Sequence, residues 1–351
     1  MDNGNYIASN QNKRIEFIDL AKGFCIILVV LTHVNTYFHI KYPLQMELQV
    51  FRMPLYFFLS GLFFKQYENI IGFIKRKINK LLIPFLFFYL IGAIIIPNIL
   101  HFFGYDVRNS SVLGIKSFYA FLIPSQRNFP NGPIWFLLCL FNMNIIFYGL
   151  FLFCKKWGKY FVLGLIVCSL FIGAFGYYLG TEKVFLPLFI DTAFTSLPFF
   201  CFGYIFRKHT SILLPNKYDK FLPIGAVLCF IYICIFAIKV SYHYNRFSGS
   251  IFALYTCGLL GTLFIIFISK MIKKLPLVSY WGRYSIIILC THNLVVQFIA
   301  VILKALPISK EIMCVSNLII TMFLYLLIIP FCLKYLPYVT AQKDVIKVKS
   351  N

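Results

Sequence analysis

The sequence predicts an all-α integral membrane protein, a single bundle of about ten transmembrane helices with both termini in the cytoplasm. Three observations carry this expectation. Of the 351 residues, 60% are hydrophobic and 19% aromatic, and mean hydropathy is +0.82, against about 45–50% apolar content in soluble domains. The apolar residues gather into runs of about 20, the length that carries a helix across a ~30 Å hydrocarbon layer. Lys and Arg concentrate in alternate connections, as an even number of spans with a cytoplasmic N-terminus requires. A soluble globule of this composition would lack the polar surface to cover its core.

In chain order, residues 1–13 are polar and read as a disordered cytoplasmic tail, 14–337 as the transmembrane domain, and 338–351 as a basic cytoplasmic tail. The first span, 17–37, has no small-residue cleavage site behind it and is expected to stay rather than leave as a signal peptide. The second, 46–64, contains Arg52 and Pro54. In the stretch KQYENIIGFIKRKINK that follows, Ile70, Ile71, Phe73, Ile74 and Ile78 alternate with Lys75, Arg76 and Lys77, the pattern of an interfacial amphipathic helix. A third span is expected at 80–100, then an external loop, 101–132, with His101, Pro124 and Pro130. Further spans fall at 133–153, 161–179, 184–206, 221–240, 250–269, 284–303 and 312–334. No connection is long enough for a second domain. The chain lacks the inverted pair of Gly/Pro-broken segments found in many transporters.

The net charge of +22 would suggest nucleic acid in a soluble chain. Beside membrane spans it belongs to polybasic loops, so the expected partner is the lipid bilayer and not nucleic acid. None of the 11 cysteines forms a CxxC or a Cys/His pair at ligand spacing, so no metal or cofactor is expected.

Asp19, Lys22, His33 and Arg52 stand out because they lie in two adjacent apolar runs. Each such group costs about 2.5 kcal/mol or more at mid-bilayer, which favours a protein-lined polar cavity over lipid contact. The 11-residue step from Lys22 to His33 is about three turns plus 20°, so both side chains share a face. Asp19 falls on that face too, giving a stripe that reaches ~16 Å from Lys22 to His33. Blander readings remain open at this level. His33 would serve equally as an interhelical hydrogen bonder, Arg52 would reach the outer headgroups, and Asp19 and Lys22 would form an i, i+3 salt bridge.

Several stretches resemble the membrane acyltransferase-3 family, whose members O-acetylate bacterial saccharides. They are DLAKGFCIILVVLTH (Asp19 to His33), FRMPLYFFLSG (Phe51 to Gly61), KLLIPF (Lys80 to Phe85), GPIWFL (Gly132 to Leu137) and GRYSIIILCTHN (Gly282 to Asn293). The ordered set spans almost the whole chain and is most similar to the fucose O-acetylase-like subgroup. One departure is Lys22, where many members have Arg, so a point charge replaces a bidentate phosphate contact.

The resemblance implies a multi-pass bacterial inner-membrane enzyme that moves an acetyl group from cytosolic acetyl-CoA to a hydroxyl of an envelope or lipid-linked saccharide. His33 would then be general base and Arg52 the partner of the acyl oxygen. Lys22, positioned by Asp19, would meet the donor phosphates, with Lys75 and Arg76 attracting the polyanion. His292 and Asn293 interrupt an apolar span and read equally as cavity lining or interhelical hydrogen bonding. Asp191 reads as the partner of a cavity cation, as an acceptor contact or, equally, as a structural ion-pair partner of Arg52. Trp135 reads as an aromatic-belt residue that the resemblance makes a cavity candidate, and Ser60 with Gly61 as a close-packing pair. A transporter or flippase for a glycan or lipid-linked sugar, with His33, Arg52 and Asp191 as its relay, is the competing reading.

Overall fold

The computed structural model describes residues 15–66, 69–95, 120–124, 127, 131–210 and 213–347. The expected tail at 1–13 and most of the stretch 101–132 lie outside the described residues. The helices are α1 (Glu16–Phe38), α2 (Gln45–Gln49), α3 (Arg52–Leu62), α4 (Ile70–Lys77), α5 (Ile83–Leu90), α6 (Trp135–Lys155), α7 (Phe161–Thr181), α8 (Ile190–His209), α9 (Leu222–Phe236), α10 (Ile251–Ile272), α11 (Pro276–Arg283), α12 (Ser285–Lys304) and α13 (Lys310–Tyr335). Among the described residues eight, α1, α6 to α10, α12 and α13, are long and apolar enough to cross a membrane.

The other two expected spans are built differently. The second is broken into α2 and α3, and the 11 residues of α3 extend only ~16 Å. Pro54 has no amide to close onto the carbonyl of Val50, so the helix starts afresh within one turn of it. Such a short element at membrane depth is stable only where protein covers it, and Leu55, Phe57, Phe58, Leu59 and Leu62 are all buried. The expected interfacial helix and third span are one continuous helical path. It runs through α4, a π turn at Ile78–Leu82, α5 and a second π turn at Ile91–Ile95.

The first π turn anchors the segment Asp344, Val345 and Ile346. Asn79, buried in that turn, donates to the Ile346 carbonyl at 2.8 Å and accepts from the Val345 and Ile346 amides at 3.1 and 2.9 Å. Lys80 adds an ion pair to Asp344 at 3.0 Å. The described part of the expected C-terminal tail is therefore strapped to the bundle. The span expected at 221–240 ends at Phe236, and a short hairpin follows. Its strands β1 (Val240–Ser241) and β2 (Arg246–Phe247) pair antiparallel, with Val240 opposite Phe247.

α3 packs against α8 at backbone contact distance. A Cβ on Gly61 would lie 1.8 Å from the Phe200 carbonyl oxygen, whereas one on Gly149 in α6 would meet nothing within 4 Å. Gly61→Ala is therefore expected to lower stability by about 1–3 kcal/mol through overpacking. Gly149→Ala should be neutral or gain up to about 1 kcal/mol of helix propensity. Melting of the two variants in detergent, followed by loss of the monodisperse peak, checks this ordering.

Candidate active site

The site begins where α1 meets α11. A Cβ on Gly282 would lie 1.8 Å from the Asp19 carbonyl oxygen, so only glycine lets the α11–α12 corner close onto the first turns of α1. This contact joins two of the sequence stretches singled out above and fixes α12 beside α1.

Arg52 opens α3 and turns toward α1 rather than toward the headgroups. Its Nη1 donates to the Leu28 carbonyl at 2.9 Å and also to the Thr32 hydroxyl. The Cys25 thiol contacts the Arg52 carbonyl at 3.1 Å. Among the described residues no carboxylate pairs with this guanidinium, and its Nε is buried without a hydrogen bond. A half-buried cation held only by a carbonyl and a hydroxyl keeps its charge available to a substrate.

His33 follows Thr32 in sequence. It is half-buried and makes no hydrogen bond among the described residues, so it is not an interhelical bonding histidine. Its ring lies edge-on to that of His292, centroids 4.9 Å apart at 61°. His292, Arg52 and His243 are all close enough to act on it electrostatically. His292, at 0% exposure, donates from Nδ1 to the Ile288 and Leu289 carbonyls at 2.8 and 3.1 Å. Those acceptors assign the proton to Nδ1. Nε2 is left as a bare lone pair, buried and without a partner among the described residues.

Between His33 and the start of α1, Tyr56 of α3 donates to the Lys22 carbonyl at 3.1 Å, with the Ser285 side chain at the head of α12 close by. Lys22 is half-buried, with Nζ 5.9 Å from the centre of the Phe63 ring. The Arg207 guanidinium of α8 lies 5.9 Å from that same ring, held by a 3.2 Å bond to the Leu62 carbonyl. Phe63, 38% exposed, is thus an open ring flanked by two cations. Asp19 is buried beside this end, and Lys75 is exposed on α4 with Arg76 half-buried next to it. Lys75 makes no ion pair among the described residues. Ser60 and Asn293 are half-buried.

For Asp191 the structure overturns one of the readings, the ion pair with Arg52, because its partner is Arg127. Arg127 Nη2 lies 2.5 Å from Asp191 Oδ1, with the two side chains 3% and 0% exposed. Arg127 Nη1 also donates to the His243 carbonyl at 2.9 Å, and the guanidinium sits 4.5 and 4.9 Å from the Phe185 and Phe189 ring centres. His243, on the turn between β1 and β2, returns a bond from Nε2 to the Arg127 carbonyl at 2.5 Å. Trp135 stacks on His243 at 5.6 Å and 17°. At 7% exposure Trp135 is packed inside protein, which overturns its reading as a belt residue facing lipid.

Burial, together with the nearby Arg127 charge, pushes the His243 imidazole down to about 4, against the opposing pull of the Arg127 carbonyl. The unfolded chain takes up that proton near 6.5 and the folded one only near 4. Stability is therefore expected to hold above pH 6.5 and to fall as pH drops from 6.5 toward 4. Melting curves across that window should slope for the wild type and slope less steeply for His243→Gln.

Sequence reasoning placed Asp19, Lys22 and His33 on one stripe and marked Arg52 on the next span, but missed Thr32, Tyr56, Phe63, Arg207, Arg127 and His243. Arg207 and Arg127 were visible only as loop charges. Thr32, Tyr56 and Phe63 carry no charge to mark them within an apolar run.

No curated protein and no solved structure matches the chain. The sequence profile of a family described as an acyltransferase domain matches residues 15–336, nearly the full length, and this does not favour the transport reading. With this match over a chain that has eight helices long and apolar enough to cross a membrane among its described residues, the chain belongs to the acyltransferase-3 family and is a membrane acyltransferase.

Proposed function

We propose that the protein transfers an acetyl group from cytosolic acetyl-CoA to a hydroxyl of an envelope or lipid-linked saccharide in the bacterial inner membrane. The observation that carries this reading is His33, an accessible imidazole with no hydrogen bond of its own among the described residues, next to a guanidinium that no described carboxylate neutralises. In this reading His33 takes the proton of the acceptor hydroxyl as that oxygen attacks the thioester carbonyl. Arg52 stabilises the oxyanion that forms. Collapse of the adduct breaks the carbon–sulfur bond, and the His33 imidazolium returns the proton to the departing thiolate. His292, whose Nδ1 proton is held by backbone carbonyls, offers its Nε2 lone pair to a second, non-reacting hydroxyl of the acceptor.

At the other end of the stripe, Lys22, Arg207 and the open Phe63 ring suit a phosphorylated nucleotide, through charge and through stacking on an aromatic face. Lys75 and Arg76 add positive charge to that mouth, and Asp19 positions Lys22. Tyr56 lies between the two ends, where an extended pantetheine arm would pass. Ser60 and Asn293 are assigned to the cavity wall, and Trp135 and Asp191 to the packed outer wall behind it.

The test is mass spectrometry of envelope glycans from cells with and without the protein, joined to an assay of the purified chain with radiolabelled acetyl-CoA. The expected result is one acetyl increment per modified sugar, present only with the protein, and thiol release that depends on an acceptor. Unchanged glycans and no thiol release would remove both donor and acceptor from the proposal.

A further inference from the structure

A second polar recess lies away from the Lys22–His33 stripe, where the end of α6, the start of α7 and the end of α8 meet. Lys155 closes α6, Lys159 lies in the turn Gly158–Tyr160, and Lys208 is near the end of α8. With Phe151 and Tyr204 they line one pocket of about 350 Å³. Among the described residues none of the three ammonium groups has a carboxylate partner. Lys159 and Lys208 instead lie over the Tyr160 and Phe161 rings at 5.1 and 5.2 Å. All three lysines are exposed, so solvent screens their mutual repulsion, and together they present one positive patch that favours an anion.

The other side of the same turn is apolar. Trp157, Tyr160, Leu163, Gly164 and Val167 line a trough of about 510 Å³. Trp157 and Tyr160 are exposed there, as aromatic side chains at a headgroup boundary are. The recess is on the same side of the bundle as the start of the Lys22–His33 stripe. Phe64, just beyond α3, packs on both Phe151 and Tyr204, with ring centres 5.6 and 5.9 Å apart.

An anion-seeking pocket beside a chain-sized apolar trough, at the end of membrane-spanning helices, matches one ligand chemistry: a phosphate ester carried on a hydrocarbon chain. We propose that Lys155, Lys159 and Lys208 bind the phosphate of an anionic phospholipid whose chain lies against Trp157 and Leu163. This site is separate from the acyl-transfer stripe and does not rest on the donor or acceptor proposed above.

The experiment titrates phosphatidylglycerol, phosphatidylcholine and inorganic phosphate into the purified full chain, reading bound adducts by native mass spectrometry and the melting temperature in parallel. The expected result is saturable phosphatidylglycerol binding with a rise in melting temperature, no comparable effect of phosphatidylcholine, and none of phosphate alone. In K155Q/K159Q/K208Q phosphatidylglycerol affinity should fall roughly a hundredfold, while K155R/K159R/K208R retains it. Unchanged binding by the Gln variant, equal binding of phosphatidylcholine, or loss of binding in the Arg variant would overturn the site. Protection by inorganic phosphate as strong as by the lipid would overturn the lipid as its occupant.

Discussion

Replacing His33 with Ala is expected to cut acyl transfer by about a hundredfold to ten-thousandfold, the contribution of a positioned general base. The fold should survive, because the side chain makes no hydrogen bond among the described residues and is only half-buried. Thiol release from acetyl-CoA and acetyl incorporation into glycan should fall together, with donor affinity nearly unchanged because Lys22 and Arg207 are untouched. An export assay run beside them should show normal glycan delivery. Acetylation that persists while export fails would point to the relay of a transporter instead. Arg52→Lys is a useful companion, since it keeps a charge but loses the planar fork that reaches Leu28 and Thr32 together. It should lose most activity without losing the positive charge.

Replacing Asp191 with Ala should produce the largest loss of stability. Arg127 would be left charged at 3% exposure, between two phenyl rings and without its counter-ion. Breaking a buried pair from one side costs about 3–5 kcal/mol, a large share of the margin that keeps most folds intact. The double substitution Arg127→Met with Asp191→Leu should recover much of that loss, because it removes both desolvated charges at once. Melting temperatures of the two single variants and the double variant form a cycle whose coupling term isolates the pair. If Asp191→Ala melts with the wild type, the ion pair is not what holds Arg127 and the His243 turn in place.

The two predictions probe ends of the molecule that differed in how far they were legible. The Lys22–His33 face followed from helical arithmetic, because residues of one helix keep a fixed angular relation whatever surrounds them. Arg52 was marked by the cost of a guanidinium in an apolar run. Its orientation was not, since it depends on where α3 restarts after Val50 and on a threonine of another helix. Asp191 was marked by the same cost, but the cation nearest in the sequence pattern, Arg52, was the wrong partner. The true one, Arg127, lies in a connection whose path no periodicity encodes. Trp135 failed for a related reason, because a tryptophan at a span end fits a lipid boundary and a buried stack equally until the neighbouring hairpin is known.

From the sequence alone came the membrane, the helical class, the family and the one-dimensional stripe, because composition, run length and residue spacing act along a single chain and are unaffected by neighbours. Only the tertiary structure decided which groups meet across helices: His33 with His292, Tyr56 with Lys22 and Ser285, Lys22 and Arg207 on one phenyl ring, and Arg127 with Asp191. In a bundle of apolar rods many helix arrangements bury similar nonpolar area. Close glycine contacts such as Gly61 on Phe200 and Gly282 on Asp19 and a few satisfied polar atoms select among them, and they do so through space rather than along the chain.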